Sequence, residues 1–310
     1  MTHGAHEHPV DPRNETILVS LNGELVPKAQ ATVSVLDSGF ILGDGVWEGL
    51  RLHAGRLAFL DRHLRRLYDG ARAIDMDIGV TPEEMTARIK AVLDANDMRD
   101  DVHLRLMVSR GVKLTPYQDP RATVTKPTVV ILPEYKEPSD EVYTRGLKLF
   151  TVHVRRGRPD VQDPRLNTHS KHNCIQACIQ AAKAGADEGL MLDPQGFVAT
   201  CNSTHFFIVR DGEVWTSTGN YCLDGITRRI VLELAEADGI RVRETNFSLS
   251  DVYGAQEAFV TGWARSPGFA SVGEHRWAHL RRPVPGPMVK RPFKGSNAQA
   301  VWSRPSWLDL

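Results

Sequence analysis

Three tight glycine turns, each set between two short apolar segments, do most to limit the folds open to this 310-residue chain. Asn22-Gly23 lies within residues 17–25, Pro194-Gln-Gly196 separates 190–193 from 197–200, and Asp211-Gly212 separates 206–209 from 214–216. Short turns of this chemistry accept positive φ and join antiparallel neighbours, so hairpins are expected in both halves. Helices are expected between them. Leu60, Leu64, Leu67, Ala71 and Ile74 recur at helical spacing, with Arg62, Arg65, Arg66 and Arg72 on or beside the polar flank. Thr81, Pro82 and Glu84 read as a cap, a first turn and a closing capping box ahead of Met85, Ile89, Val92 and Leu93. A later helix carries a stripe of Ile175, Cys178, Ile179 and Ala182 and ends at Gly185; another opens at Gly225-Ile-Thr-Arg228, carries Ile230, Val231, Leu234 and Ala235, and stops at Gly239. The class is α/β, of the α+β kind.

Residues 102–108 alternate apolar and polar, which places His103 and Arg105 on one side of a strand; the pattern alone favours a solvated outer face. Glycines at 39, 43, 45, 49 and 55 are too closely spaced for a helix and let backbone approach whatever lies opposite. Residues 128–132 and 147–154 read as strands. Between them 133–138 is bounded by prolines, charged and without apolar period, so the domain boundary is expected there. The expected organisation is a polar disordered tail over 1–14, a small domain over 15–134, a linker over 135–145 and a large domain over 146–290.

Thirty-eight basic residues balance thirty-eight acidic ones, so no overall field draws the chain to nucleic acid or to an anionic membrane. No signal peptide and no bilayer-length apolar run is evident, and a cytoplasmic setting is expected. Cys174, Cys178, Cys201 and Cys222 match no metal spacing and read as buried, reduced thiols. His3, His6 and His8 belong to the polar tail, and no metal site is expected.

Lys171 is the residue with the most chemistry to offer. A lysine at a helix entrance is by itself a solvated surface residue, but held in a pocket it can bind an aldehyde cofactor as a Schiff base. Its surroundings carry a series of motifs: Val35-Leu-Asp-Ser-Gly-Phe40, Gly43-Asp-Gly-Val-Trp-Glu48, His63-Leu-Arg-Arg-Leu67, Ser170-Lys-His-Asn173, Ala184-Gly-Ala-Asp-Glu188, Leu223-Asp-Gly-Ile-Thr-Arg228 and Ala258-Phe-Val-Thr-Gly262. In this order they resemble the class IV aminotransferases, pyridoxal-phosphate enzymes of fold type IV that include branched-chain and D-amino-acid transaminases and aminodeoxychorismate lyase.

The resemblance implies a two-domain enzyme with a pseudo-barrel second domain, acting as a homodimer. Lys171 is implied as the Schiff-base lysine and proton carrier. Arg66, Ile226, Thr227 and Thr261 are implied on the phosphate side, Leu223 against the pyridine ring, and His103 with Arg105 towards the substrate. Amino acids, branched-chain first, would exchange nitrogen with a 2-oxo acid such as 2-oxoglutarate. D-amino-acid transamination, lyase chemistry and an inactive paralogue are the alternatives. Two departures stand out. Thr200 occupies the place of the family's ring-nitrogen glutamate, in Val198-Ala-Thr-Cys-Asn-Ser-Thr-His205 against a pattern resembling Val-Thr-Glu-Gly-Ser-Gly-Ser-Asn, and a hydroxyl supplies no countercharge. Beyond Gly262 the pattern gives way to Trp263-Ala-Arg-Ser-Pro267, and 263–310 reads as an atypical, degenerate stretch.

Overall fold

A computed structural model of the chain describes residues 11–136, 146–261, 268–272, 289–290 and 302–303. The histidines of the tail, most of the expected linker, Trp263 and most of 263–310 lie outside the described residues. Two compact units form: one holds 11–136 together with Leu166–Lys171, and the other holds 146–165 and the described residues from His172 onward.

The first unit is built on six antiparallel strands, β1 (Leu18–Leu21), β2 (Glu24–Pro27), β3 (Gly45–His53), β4 (Arg56–Leu57), β5 (Val102–Ser109) and β6 (Thr128–Tyr135), in the order β2-β1-β6-β5-β3-β4. Asn22 and Gly23 both take positive φ, 54° and 95°, as the first hairpin requires. Helix α1 (Ser38–Leu42) is a single turn within the glycine-dense stretch, where no helix is expected; Asp37 caps it through Gly39 N, and Gly43 ends it in the left-handed region. Helices α2 (Leu60–Ala73) and α3 (Pro82–Ala95) bury Leu64, Leu67, Met85, Ile89, Val92 and Leu93 in one core with Val46, Leu50, Leu104, Leu106 and Ile131 of the sheet. At ~1.5–3 kcal/mol for each fully buried large aliphatic side chain, this core is the main support of the unit.

Thr81 caps α3 through Glu84 N as expected, but the Glu84 carboxylate pairs with Arg88 one turn on and leaves the capping box open. β6 runs on through Pro133 to Tyr135, within the stretch expected to divide the domains, because Asn14 holds both the N–H and the carbonyl of Tyr135. The same contact orders Asn14, in a 3-10 turn over Pro12–Glu15, where a disordered tail is expected.

In the second unit β7 (Leu147–Thr151), β8 (Glu188–Leu192), β9 (Val198–Cys201), β10 (His205–Arg210), β11 (Glu213–Thr216), β12 (Val242–Glu244), β13 (Glu257–Thr261) and β14 (Gly268–Val272) form one mixed sheet, ordered β12-β11-β10-β13-β14-β7-β8-β9. Residues from β7 to β10 and β13 meet in a single core, so the sheet curls around it in barrel-like fashion. The helices here are α4 (Pro159–Gln162), α5 (His172–Lys183), α6 (Ile226–Ala237) and α7 (Leu249–Tyr253).

Helix α5 reverses the expectation drawn from its periodicity. Ile175, Cys178, Ile179 and Ala182 are exposed, and Ala177 with Ala181 form the buried face. The reason is a close approach to β8: a Cβ on Gly189 would fall 3.0 Å from the Ala177 carbonyl oxygen, a gap that admits alanine but no isoleucine. Of the four cysteines only Cys201 and Cys222 are buried; Cys174 is half-buried and Cys178 exposed. No helix of the described residues is long and apolar enough to cross a membrane.

Candidate active site

Alternation along β3 sorts the first unit's chemistry onto two faces. Val46, Glu48, Leu50 and Leu52 face the core under α2 and α3, while Trp47, Gly49 and Arg51 face the other way. Register then places Met107, Arg105 and His103 beside Trp47, Gly49 and Arg51 respectively, on that second face. Gly49 has no side chain to obstruct its partner, and the Arg105 guanidinium lies 4.3 Å from the centre of the Trp47 ring. Lys171 reaches the same ring, with Nζ 5.4 Å from its centre.

The outer-face reading of His103 and Arg105 is therefore corrected. His103 is only 3% exposed and Arg105 is half-buried, with Trp47 over the Arg105 guanidinium and the His103 ring close to Gly49. Burial lowers the pKa of Arg105, with Glu134 pulling it back up. Among the described residues Arg105 makes the stack on Trp47 and no hydrogen bond or ion pair. A half-buried guanidinium with unused donors has the charge and the planar fork to grip a carboxylate.

Lys171 comes to this face because residues 167–169 run along the edge of β3. β4 covers only Leu52 and His53 of that edge; near its other end Trp47 N donates to Asn167 O (3.0 Å) and His169 N donates to Gly45 O (2.9 Å). Gly45 is required there, since a Cβ would lie 2.8 Å from the His169 ring and 2.5 Å from Val108 O. The His169 ring donates from Nε2 to Val46 O, and burial holds its pKa below the usual histidine range. Lys171 Nζ donates to Asn167 Oδ1 at 3.0 Å. Lys183, the only nearby alternative, is the exposed last residue of α5.

Arg66 lies on α2, beneath the core face of β3. Its Nε and Nη2 grip the fully buried Glu48 carboxylate at 2.7 Å each, and His63 Nδ1 lies 2.7 Å from the same group. Burial pushes the Glu48 pKa up, but the hydrogen bonds from His63 and Arg66 outweigh it and hold the carboxyl below its usual range. Arg62, Arg65 and Arg72 stay exposed, so Arg66 alone of the four is drawn inward.

The other expected residues belong to the second unit and gather around the β9–β10 turn. Thr200, 5% exposed, donates its hydroxyl to Thr204 O at 2.8 Å. The next residue, His205, donates from Nε2 to Leu223 O at 2.8 Å, and its ring sits so close to Gly225 that a Cβ there would fall 2.2 Å away. Gly225 is the N-cap of α6 and offers no side chain, so the first amides, at Ile226 and Thr227, point outward uncapped. Thr261 is the register partner of His205 on β13; its Oγ1 is buried without a hydrogen-bond partner among the described residues. An orphaned hydroxyl on the strand beside His205, next to an uncapped helix start, fits an anion with several acceptor oxygens.

Motif reading missed Trp47, Glu48, Asn167 and His205 as separate contributors. Trp47, Glu48 and His205 lie inside quoted motifs, and His205 stands where the resembling pattern ends in asparagine. Nothing in the sequence marks Asn167.

A lysine and an arginine on one tryptophan in one unit, and an uncapped helix start beside an orphaned hydroxyl on a curled sheet in the other, fit a protein of the fold type IV architecture. The model for "Amino-transferase class IV" matches residues 45–266, and the chain belongs to that family. It is 39% identical over 247 residues to the putative branched-chain-amino-acid aminotransferase of Methanocaldococcus jannaschii, covering 79% of this chain and 84% of that one. It is 38% identical to branched-chain-amino-acid aminotransferase-like protein 2 of Arabidopsis thaliana over 81% of this chain, and spans 45% of that relative's length. Among solved structures, the branched-chain amino acid aminotransferase from Thermobaculum terrenum in its PLP form matches with a TM-score of 0.75 and 25% identity, over 85% of this chain and 88% of that one. The family and the fold class inferred from the motifs are borne out.

Proposed function

We propose that the chain is a pyridoxal-phosphate-dependent aminotransferase that exchanges the amino group of an amino acid, branched-chain first, with a 2-oxo acid such as 2-oxoglutarate. The observation that carries this reading is the pairing of Lys171 Nζ and the Arg105 guanidinium on one Trp47 ring. When bound, the cofactor supplies an aldehyde for the amino group and a ring that withdraws electrons from the substrate's α-carbon.

Lys171, in its neutral form, would hold the cofactor through its aldehyde, with water as the leaving group, and would carry the proton at the substrate's α-carbon once the substrate's amine has taken its place. Arg105 orients the substrate through its carboxylate, with His103 beside it. The amides of Ile226 and Thr227 and the Thr261 hydroxyl would hold phosphate oxygens; Arg66 is assigned to the phosphate by the resemblance of its motif alone. Leu223 would pack on the ring. Thr200 donates its hydroxyl hydrogen bond to Thr204 O, so towards a protonated ring nitrogen it would present only lone pairs and add no charge.

The free thiols suit a reducing compartment such as the cytoplasm. A homodimer is supported by the exposed apolar side chains of Val35 (73%), Phe40 (71%) and Leu114 (74%) in the first unit.

Borohydride reduction of the cofactor-loaded protein followed by peptide mass mapping tests the assignment. The reduced adduct is expected on Lys171 and absent in Lys171→Ala, and amino donors are expected to yield pyridoxamine phosphate. A label on another lysine, or none, sinks the reading; pyruvate release without an amino acceptor identifies a lyase instead.

A further inference from the structure

The Lys171 ammonium is held by a residue that no motif marks. Asn167, 7% exposed, is bound three ways to its surroundings: its carbonyl accepts from Trp47 N (3.0 Å), its Nδ2 donates to Trp47 O (2.6 Å), and its Oδ1 accepts from Lys171 Nζ (3.0 Å). The amide orientation follows from chemistry. A backbone carbonyl can only accept and an ammonium can only donate, so Nδ2 must face Trp47 O and Oδ1 must face Lys171. The next residue completes the frame, with Trp47 Nε1 donating to Thr168 O at 3.1 Å. One carboxamide thus ties the lysine to the strand whose tryptophan also carries Arg105.

The type of residue matters as much as its place. An asparagine oxygen fixes the ammonium with a dipole, whereas an aspartate there would add a full countercharge and hold the proton on Nζ. Arg105, stacked on the same ring, disfavours a second cation nearby. A lysine that must become a nucleophile and base needs position without a counter-carboxylate from its own positioning group.

We infer that Asn167 is a positioning residue for Lys171: it fixes Nζ over Trp47 and, being uncharged, holds the proton on that nitrogen less firmly than a carboxylate in its place would. The inference rests on Lys171 being the reactive lysine of the proposed reaction.

The test is competitive labelling of the full chain, freed of cofactor, with isotopic acetic anhydride across pH. The fraction acetylated at Lys171 is mapped by peptide mass and referenced to Lys183. Asn167→Asp is expected to raise the half-titration pH of Lys171 by about one pH unit or more, and Asn167→Ala, which removes an acceptor from the charged form, to lower it. A loosened segment would move both variants in the same direction, so opposite shifts separate the two roles. Equal shifts, or titrations matching the parent, overturn the inference. If Asn167→Asp fails to fold, as judged by circular dichroism, Asn167→Ala decides it: an unchanged or raised value sinks the proposal. In cofactor-loaded protein the pH midpoint of the visible absorbance is expected to move the same way in each variant. A parent with no borohydride adduct on Lys171 would end the transaminase reading, while the acetylation titration would still judge Asn167.

Discussion

The two units carry their chemistry in different forms. The first offers charged side chains: Lys171 and Arg105 on the Trp47 face of its sheet, and Arg66 clamped to Glu48 on the other. The second offers neutral groups around the β9–β10 turn: the hydroxyls of Thr200 and Thr261 and the uncapped start of α6, while the buried Glu188 carboxylate at that turn is taken up by the hydroxyls of Ser203 and Thr204. Charges cost much to bury and need partners or a half-open surface, so they sit where an aromatic face or a carboxylate supports them. Backbone amides and hydroxyls can wait inside a fold without countercharge. One unit is therefore suited to gripping and proton transfer, and the other to cradling.

The sharpest way to break this comparison is at Glu48. Glu48→Ala would leave Arg66 and His63 around an empty core position and is expected to destabilise the chain by ~3–5 kcal/mol in denaturant unfolding. A loss within experimental error would mean that the clamp is unimportant. The same group sets a pH dependence. Its folded-state pKa lies below the unfolded value, so its stabilisation is present above the ordinary carboxylate range and is lost as pH falls through the depressed value. Urea midpoints between pH 7 and 3 should therefore fall less steeply in Glu48→Gln than in the parent.

Next in size, Arg105→Leu should weaken binding of amino and 2-oxo acids by ~1.5–3 kcal/mol, read as a rise in KM with Lys171 still modified by borohydride. An unchanged KM would remove Arg105 from substrate binding. Thr261→Val probes the neutral unit. It should leave the cofactor-free protein as stable as the parent, since the hydroxyl has no partner to lose, yet weaken cofactor binding by ~1 kcal/mol. Smallest of all, Ile179→Gln on the exposed stripe of α5 should change monomer stability by no more than ~0.5 kcal/mol, whereas a buried isoleucine would cost several times that.

Much of the fold was legible in the chain because the signals are local. The positive φ at Asn22, Gly23, Asp211 and Gly212 follows from residue type, and Thr81-Pro82 starts α3 where it should. The order of motifs reached the family and gathered residues from both units without knowledge of their distances. His103 illustrates the limit: alternation correctly placed it beside Arg105 on one face, but whether that face is wet depends on residues outside its own strand. Helix α5 illustrates it again, since two apolar stripes were available and the periodicity of the larger residues pointed to the wrong one.

By itself the sequence determined the hairpins, the caps, the α+β class and the family, because each rests on neighbours a few residues apart or on motif order. Tertiary structure alone decided that Ala177 and Ala181 turn inward against Gly189, that Glu48 takes the fork of Arg66, and that Asn167 meets Lys171 on the edge of β3. These are contests for the same space or the same hydrogen-bond donors between distant segments, and their outcome depends on which backbone comes close enough.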